Sequence, residues 1–179
     1  MIKDNIINSE ESYAERAAIY AEFGKIVCIS CGYLAKENGK DTLRIKSFYS
    51  DTEKELLSDF AELLRKNYSD IQSQTLCGHN IKEFDVPYLC RRMLINGIIL
   101  PEILNINGKK PWEINFIDTL QLWKFGDYKA YTSLNLLAAL FEIFSVFSSL
   151  DSGDSIKNIP VTAKASNGIV ILKAFKLFI

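Results

Sequence analysis

Leu76-Cys77-Gly78-His79-Asn80-Ile81-Lys82-Glu83-Phe84-Asp85-Val86-Pro87-Tyr88-Leu89 is the stretch whose reading decides the fold. A short strand, Gln74–Cys77, runs into a polar turn and then into a helix. The apolar positions Val86, Leu89, Cys90, Met93 and Leu94 share one face of that helix. Pro87 falls in the first helical turn, where its missing N–H is not needed, and Asn96-Gly97 ends the helix. Asp85 therefore stands at a helix mouth just past a strand end, where open α/β sheets place their sites.

On the N-terminal side, Lys25–Leu34 reads as a strand and Thr42–Tyr49 as its return, joined through Asn38-Gly39, a strong hairpin signal. Ser9 to Phe23 has a helical pattern that Gly24 closes. Asp51-Thr52-Glu53-Lys54-Glu55 opens a further helix with Leu56, Leu57, Phe60, Leu63 and Leu64 as its buried stripe. The acids of its first turn fit the helix dipole. On the C-terminal side come an irregular segment (97–114), a short strand Ile114–Ile117 ending at Asp118, and an apolar helix Leu134–Phe144. The order hairpin, helix, strand, helix, strand, helix predicts an α/β domain with a mixed sheet flanked by helices. Beyond Ser145 the character changes: there is no Tyr or Trp and no acid after Asp154, and Ile169–Ile179 is an apolar-basic run with no pattern that packs with the rest.

The 179 residues suffice for one domain. A 48% hydrophobic content with 24% charged residues is that of a globular chain. The net charge of −1 gives no basic excess that would announce a nucleic-acid partner, although bound cations can supply positive charge locally. Cys28 and Cys31 form a C-x-x-C pair, but residues three apart on a strand point to opposite faces. They are expected to be reduced core cysteines in a cytoplasmic protein. With no run of roughly 20 apolar residues, no membrane span is expected.

From about Tyr13 to Ile143 the chain resembles predicted 3′–5′ exonucleases of the DEDD superfamily related to the proofreading domain of family B DNA polymerases. The resemblance rests on Glu15–Ser30, on Gly78–Asp85 with its Asn-x-x-x-Phe-Asp spacing, and on Ile117-Asp118-Thr119-Leu120-Gln121-Leu122-Trp123-Lys124-Phe125-Gly126-Asp127-Tyr128, followed by Tyr131-Thr132-Ser133-Leu134. It implies a ribonuclease H-like sheet and two-metal phosphodiester hydrolysis from the 3′ end of a single strand, DNA ahead of RNA, with Mg²⁺ or Mn²⁺. Two cations about 3.5–4 Å apart activate water and stabilise the departing oxygen. In the family four acids hold them: an Asp-x-Glu on the first strand, the Asp of the second motif and an Asp in a third motif with a tyrosine.

Here the second motif alone carries over. The resemblance makes Asp85 a metal ligand and catalytic residue, Asn80 a contact to the substrate strand, and Phe84 a packing or stacking residue. Met1–Asn8 holds no Asp-x-Glu and the tail no Tyr-x-x-x-Asp. Residues 1–179 are thus expected to form one incomplete exonuclease-like domain with a divergent tail (145–179), lacking the first strand and the C-terminal helix and leaving a sheet edge exposed. Activity is expected to be weak or absent, the alternative being a non-catalytic module that binds single strands or a protein.

Other readings remain open for several residues. Asp85 could cap its helix, with Asn80 and Glu83 in a variant capping box. His79 reads as a hydrogen-bonded turn residue. Asp118 is either a carboxylate on the site rim or a residue bonding its own turn. Arg91, Arg92, Lys109, Lys110, Lys124 and Lys129 line a strand-binding groove or simply face solvent.

Overall fold

The computed structural model describes Ala17, residues 19–141 and, as backbone, residues 169–178. Among these, five strands form one mixed sheet: β1 (Lys25–Glu37), β2 (Lys40–Tyr49), β3 (Thr75–Gly78), β4 (Ile117–Asp118) and β5 (Ile169–Phe178). Their order is β2-β1-β5-β3-β4. Four α-helices accompany them: α1 (Glu53–Asn67), α2 (Val86–Ile95), α3 (Thr119–Lys124) and α4 (Leu134–Leu140). The α/β class read from the sequence is the one observed.

β1 and β2 form the expected antiparallel hairpin, in register from Cys28↔Tyr49 to Glu37↔Lys40. Its turn places Asn38 at φ 51° and Gly39 at φ 78°, as a two-residue hairpin turn with two left-handed positions requires. On its other side β1 runs antiparallel to β5, from Lys25↔Phe178 to Tyr33↔Val170, with register breaks after Ile26 and Ile29. β5 is parallel to β3, and β3 to β4.

That central strand corrects the reading of the tail. Ile169–Phe178 is an integral strand, and the inner edge of β1 is paired, not exposed. The run looked patternless because its apolar residues do not alternate. The backbone groups of β1 and β3 need partners inside a sheet, and β5 supplies them. Residues 145–168, with Asp151 and Asp154, lie outside the described residues, as does Asp4. Most of the helix expected over Ser9–Phe23 lies there too; Ala17 is helical and residues 19–23 form turns. The strand expected at Ile114–Ile117 is confined to Ile117–Asp118, and α3, which the sequence did not announce, starts at once.

The core lies between the sheet and helices α1 and α2. Leu56, Leu57, Phe60 and Leu64 of α1 are buried against Ile26, Ile29, Phe48, Leu76, Leu89 and Met93. Each such side chain contributes roughly 1.5–3 kcal/mol. Phe48 and Phe60 meet edge to face at 5.5 Å. On α2, Leu94 proves exposed, while Tyr88 is buried. The stripe is rotated towards the flank that carries Arg92, which is drawn inward.

Arg92 does not line a groove: Glu53, only 7% exposed, holds it. Glu53 Oε1 accepts from Ile26 N at 2.7 Å and from Arg92 Nε at 2.9 Å. Its Oε2 accepts from Arg92 Nη2 and, at 2.9 Å, from Asn96 Nδ2. Arg92 Nη1 reaches Ala21 O at 2.8 Å. One carboxylate thus ties the start of α1 to β1 and α2. Burial pushes its pKa up, but the hydrogen bonds from Arg92, Ile26 and Asn96 and the guanidinium charge outweigh this and hold it below the usual glutamate value. None of the helices among the described residues is long and apolar enough to cross a membrane.

Breaking a buried ion pair from one side costs about 3 kcal/mol or more, so Glu53→Gln is expected to lower the unfolding free energy by that order in urea titrations at pH 7. Because the folded pKa is depressed, the clamp stabilises fully above the unfolded value of about 4.3 and loses its contribution as pH falls through the lower folded value. The wild type should therefore lose stability over that acid window, and the variant should lack this component.

Candidate active site

At the carboxyl end of β3 the backbone makes an unusually wide turn. Asn80 takes the left-handed conformation (φ 60°, ψ 25°), and Ile81–Asp85 form a π-helical turn that runs into α2. Such a turn needs its amides anchored, and Asp118, at the end of the neighbouring strand β4, anchors them. Its Oδ1 accepts from Asn80 N at 2.9 Å and its Oδ2 from Lys82 N at 3.1 Å. Oδ1 also accepts from Leu120 N at 3.0 Å and Gln121 N at 3.4 Å, which caps α3. The residue is 3% exposed. Of its two sequence readings the turn-bonding one holds, and it extends beyond the residue's own turn: one carboxylate grips four backbone N–H groups from two segments.

His79 adds a second fastening. Nδ1 lies 3.0 Å from Thr119 Oγ1 and Nε2 2.8 Å from Thr132 O. A carbonyl can only accept, so Nε2 donates to Thr132 O. Both nitrogens are thereby used to hold β3, α3 and the approach to α4 together, as a turn histidine would. Trp123 Nε1 donates to Thr132 Oγ1 at 3.1 Å, and Tyr131 meets the imidazole edge to face at 6.5 Å. Spacings of 40 and 53 residues gave no local signal for these bonds.

Of the three residues marked in the second motif, Asp85 is half-buried and helical (φ −62°, ψ −51°) and makes no side-chain cap bond to α2; Asn80 likewise makes none. The capping reading of this motif therefore has no bond behind it. Phe84 is half-buried against the core, its ring 5.7 Å from Tyr88, which is a packing position. Arg91, Lys109, Lys110 and Lys129 are exposed, and Lys110 lies over the Trp112 ring at 5.3 Å.

The donors among the described residues do not fit a pair of hard divalent cations, which need several oxygen ligands and compensating negative charge. Among the described residues no three His, Cys, Asp or Glu side chains come together, and Asp118 is spent on backbone. Thiols offer no substitute. Burial pushes Cys31 and Cys90 up to about 11, and burial together with Asp118 raises Cys77. These groups stay neutral near pH 7 and are poor ligands. Cys28 is half-buried and Cys31 buried, and all four cysteines are free.

A family model for the exonuclease domain of DNA polymerase family B matches residues 8–135, which takes in β1 to β4, the Asp118-anchored turn and the start of α4. Comparison with curated proteins and with solved structures returns no match.

Asp118→Ala would leave four amides without their acceptor. At about 1–3 kcal/mol for an unsatisfied group, the expected loss is about 3 kcal/mol in urea unfolding, with faster amide exchange over residues 79–85. Asp118→Asn keeps one acceptor oxygen and should lose about half as much. An Ala variant as stable as the wild type would contradict this role.

Proposed function

The chain belongs to the family of DNA polymerase B exonuclease domains, and from that premise we propose that it engages the 3′ end of a single-stranded nucleic acid, DNA ahead of RNA, with little or no hydrolysis. The 3′–5′ exonuclease-like character and the nucleic-acid substrate follow from the family match, which spans more than half of the 179 residues. The ribonuclease H-like topology is part of the same proposal. An antiparallel hairpin on one side of a central strand and parallel strands on the other support it.

The observation that carries the proposal of slight activity is the use made of the acids at the strand ends. Both oxygens of Asp118 hold backbone amides, and no three-donor cluster forms among the described residues. In the family, divalent cations would polarise the phosphate and lower the pKa of the attacking water. The donors among the described residues do not fit such cations. What the chain's own residues can do is bind: Asn80, at the left-handed corner of the wide turn, offers a side-chain amide to a phosphate or base edge. Asp85, at the mouth of α2, marks the ancestral ligand position. The same observation favours a binding module over a working hydrolase.

The test uses a 3′-labelled single strand with Mg²⁺ or Mn²⁺, beside Asp85→Ala. The expected outcome is retention of the strand in an anisotropy titration, with label release no faster than in the Asp85→Ala control. Cation-dependent release that the substitution abolishes would overturn the proposal in favour of a competent exonuclease.

A further inference from the structure

Tyr131 is open to solvent and yet held in place. It is 68% exposed, and its ring meets the imidazole of His79 edge to face at 6.5 Å. That imidazole is bonded at both nitrogens, to Thr119 Oγ1 at 3.0 Å and to Thr132 O at 2.8 Å. Thr132, the next residue along the chain, is therefore fixed through its carbonyl, and Trp123 Nε1 donates to its hydroxyl at 3.1 Å. Asn80 directly follows His79, so the supported ring stands at the rim of the candidate site. We propose that Tyr131 is a positioning residue of that site, whose open ring surface stacks on a base near the 3′ end of a bound single strand. This role rests on the nucleic-acid reading drawn from the family match and names a contact which that reading leaves open.

Exposure sets Tyr131 apart from a ring that only packs. Tyr88, 5.7 Å from Phe84, is 1% exposed and belongs to the core. Tyr131 leaves most of its apolar surface in water, so its contact with His79 gains little from the hydrophobic effect. A nucleobase laid on the ring would remove that surface from water, and every base has a π-face to offer. The support beneath the ring matters as well. Ordering a free side chain on binding costs entropy, and a tyrosine has only two side-chain torsions to order. With the adjoining backbone held by His79 and Trp123, much of that cost is already incurred on folding.

Anisotropy titration of the full chain with two 5′-labelled single strands tests this role, one strand intact and the other abasic at its 3′ end. Both are titrated in EDTA, so that neither is shortened. Tyr131→Ala should weaken binding of the intact strand about tenfold, and Tyr131→Phe by less than about twofold. The wild type should bind the abasic strand about tenfold more weakly than the intact one, and Tyr131→Ala should add no further loss there. Unchanged affinity of Tyr131→Ala for the intact strand would overturn the role while leaving the nucleic-acid reading standing. An equal loss on both strands would do the same, since it marks a structural part for the ring. A wild type that binds the two strands equally overturns the role without any variant, and one that binds neither overturns the nucleic-acid reading with it.

Discussion

A buried carboxylate can hold a cation or hold backbone, and Asp118 holds backbone. Its two oxygens accept from amides on both sides of the Asn80 corner and from the first turn of α3. This fixes the relation between β3, β4 and the π-turn leading into α2. The left-handed Asn80 and the doubly bonded His79 are arranged around the same anchor. The shape of the site follows from satisfying these amides, because a wide turn without acceptors would leave several buried donors unpaired. The acid that supplies the order is thereby withdrawn from chemistry.

The rest of the domain repeats this use of charge. Glu53 stands in a first helical turn, where an acid ordinarily faces solvent, yet it is buried and collects donors from β1 and α2. Both acids act as cross-links between segments far apart in sequence. The two account for much of how the sheet keeps its helical layer in place. Among the described residues, Glu53 and Asp118 thus serve architecture.

Much of the scaffold was legible in the sequence, for physical reasons. Asn38-Gly39 announced its hairpin because few residues tolerate two positive φ angles in succession. The stripe from Leu56 to Leu64 announced α1 because burial has the period of the helix. The second motif was found from its spacing, and the family match over residues 8–135 agrees with the resemblance. What stayed hidden depends on long-range contacts. Arg92 and Glu53 are 39 residues apart, so nothing local distinguishes a buried Arg92 from a solvated one. Asp118 showed two readings because a strand-end acid looks the same whether its acceptors face a cation or an amide. The strand Ile169–Phe178 was missed because its apolar residues do not alternate, and alternation is the signal by which half-buried strands are recognised.

Among the described residues the acids assemble no divalent-cation site. Titration of the full chain with Mn²⁺, followed by electron paramagnetic resonance of the free ion, tests it without requiring turnover. No saturable uptake is expected, and no difference between the wild type and Asp85→Ala. Saturable binding of two Mn²⁺ per chain that disappears in Asp85→Ala would contradict it.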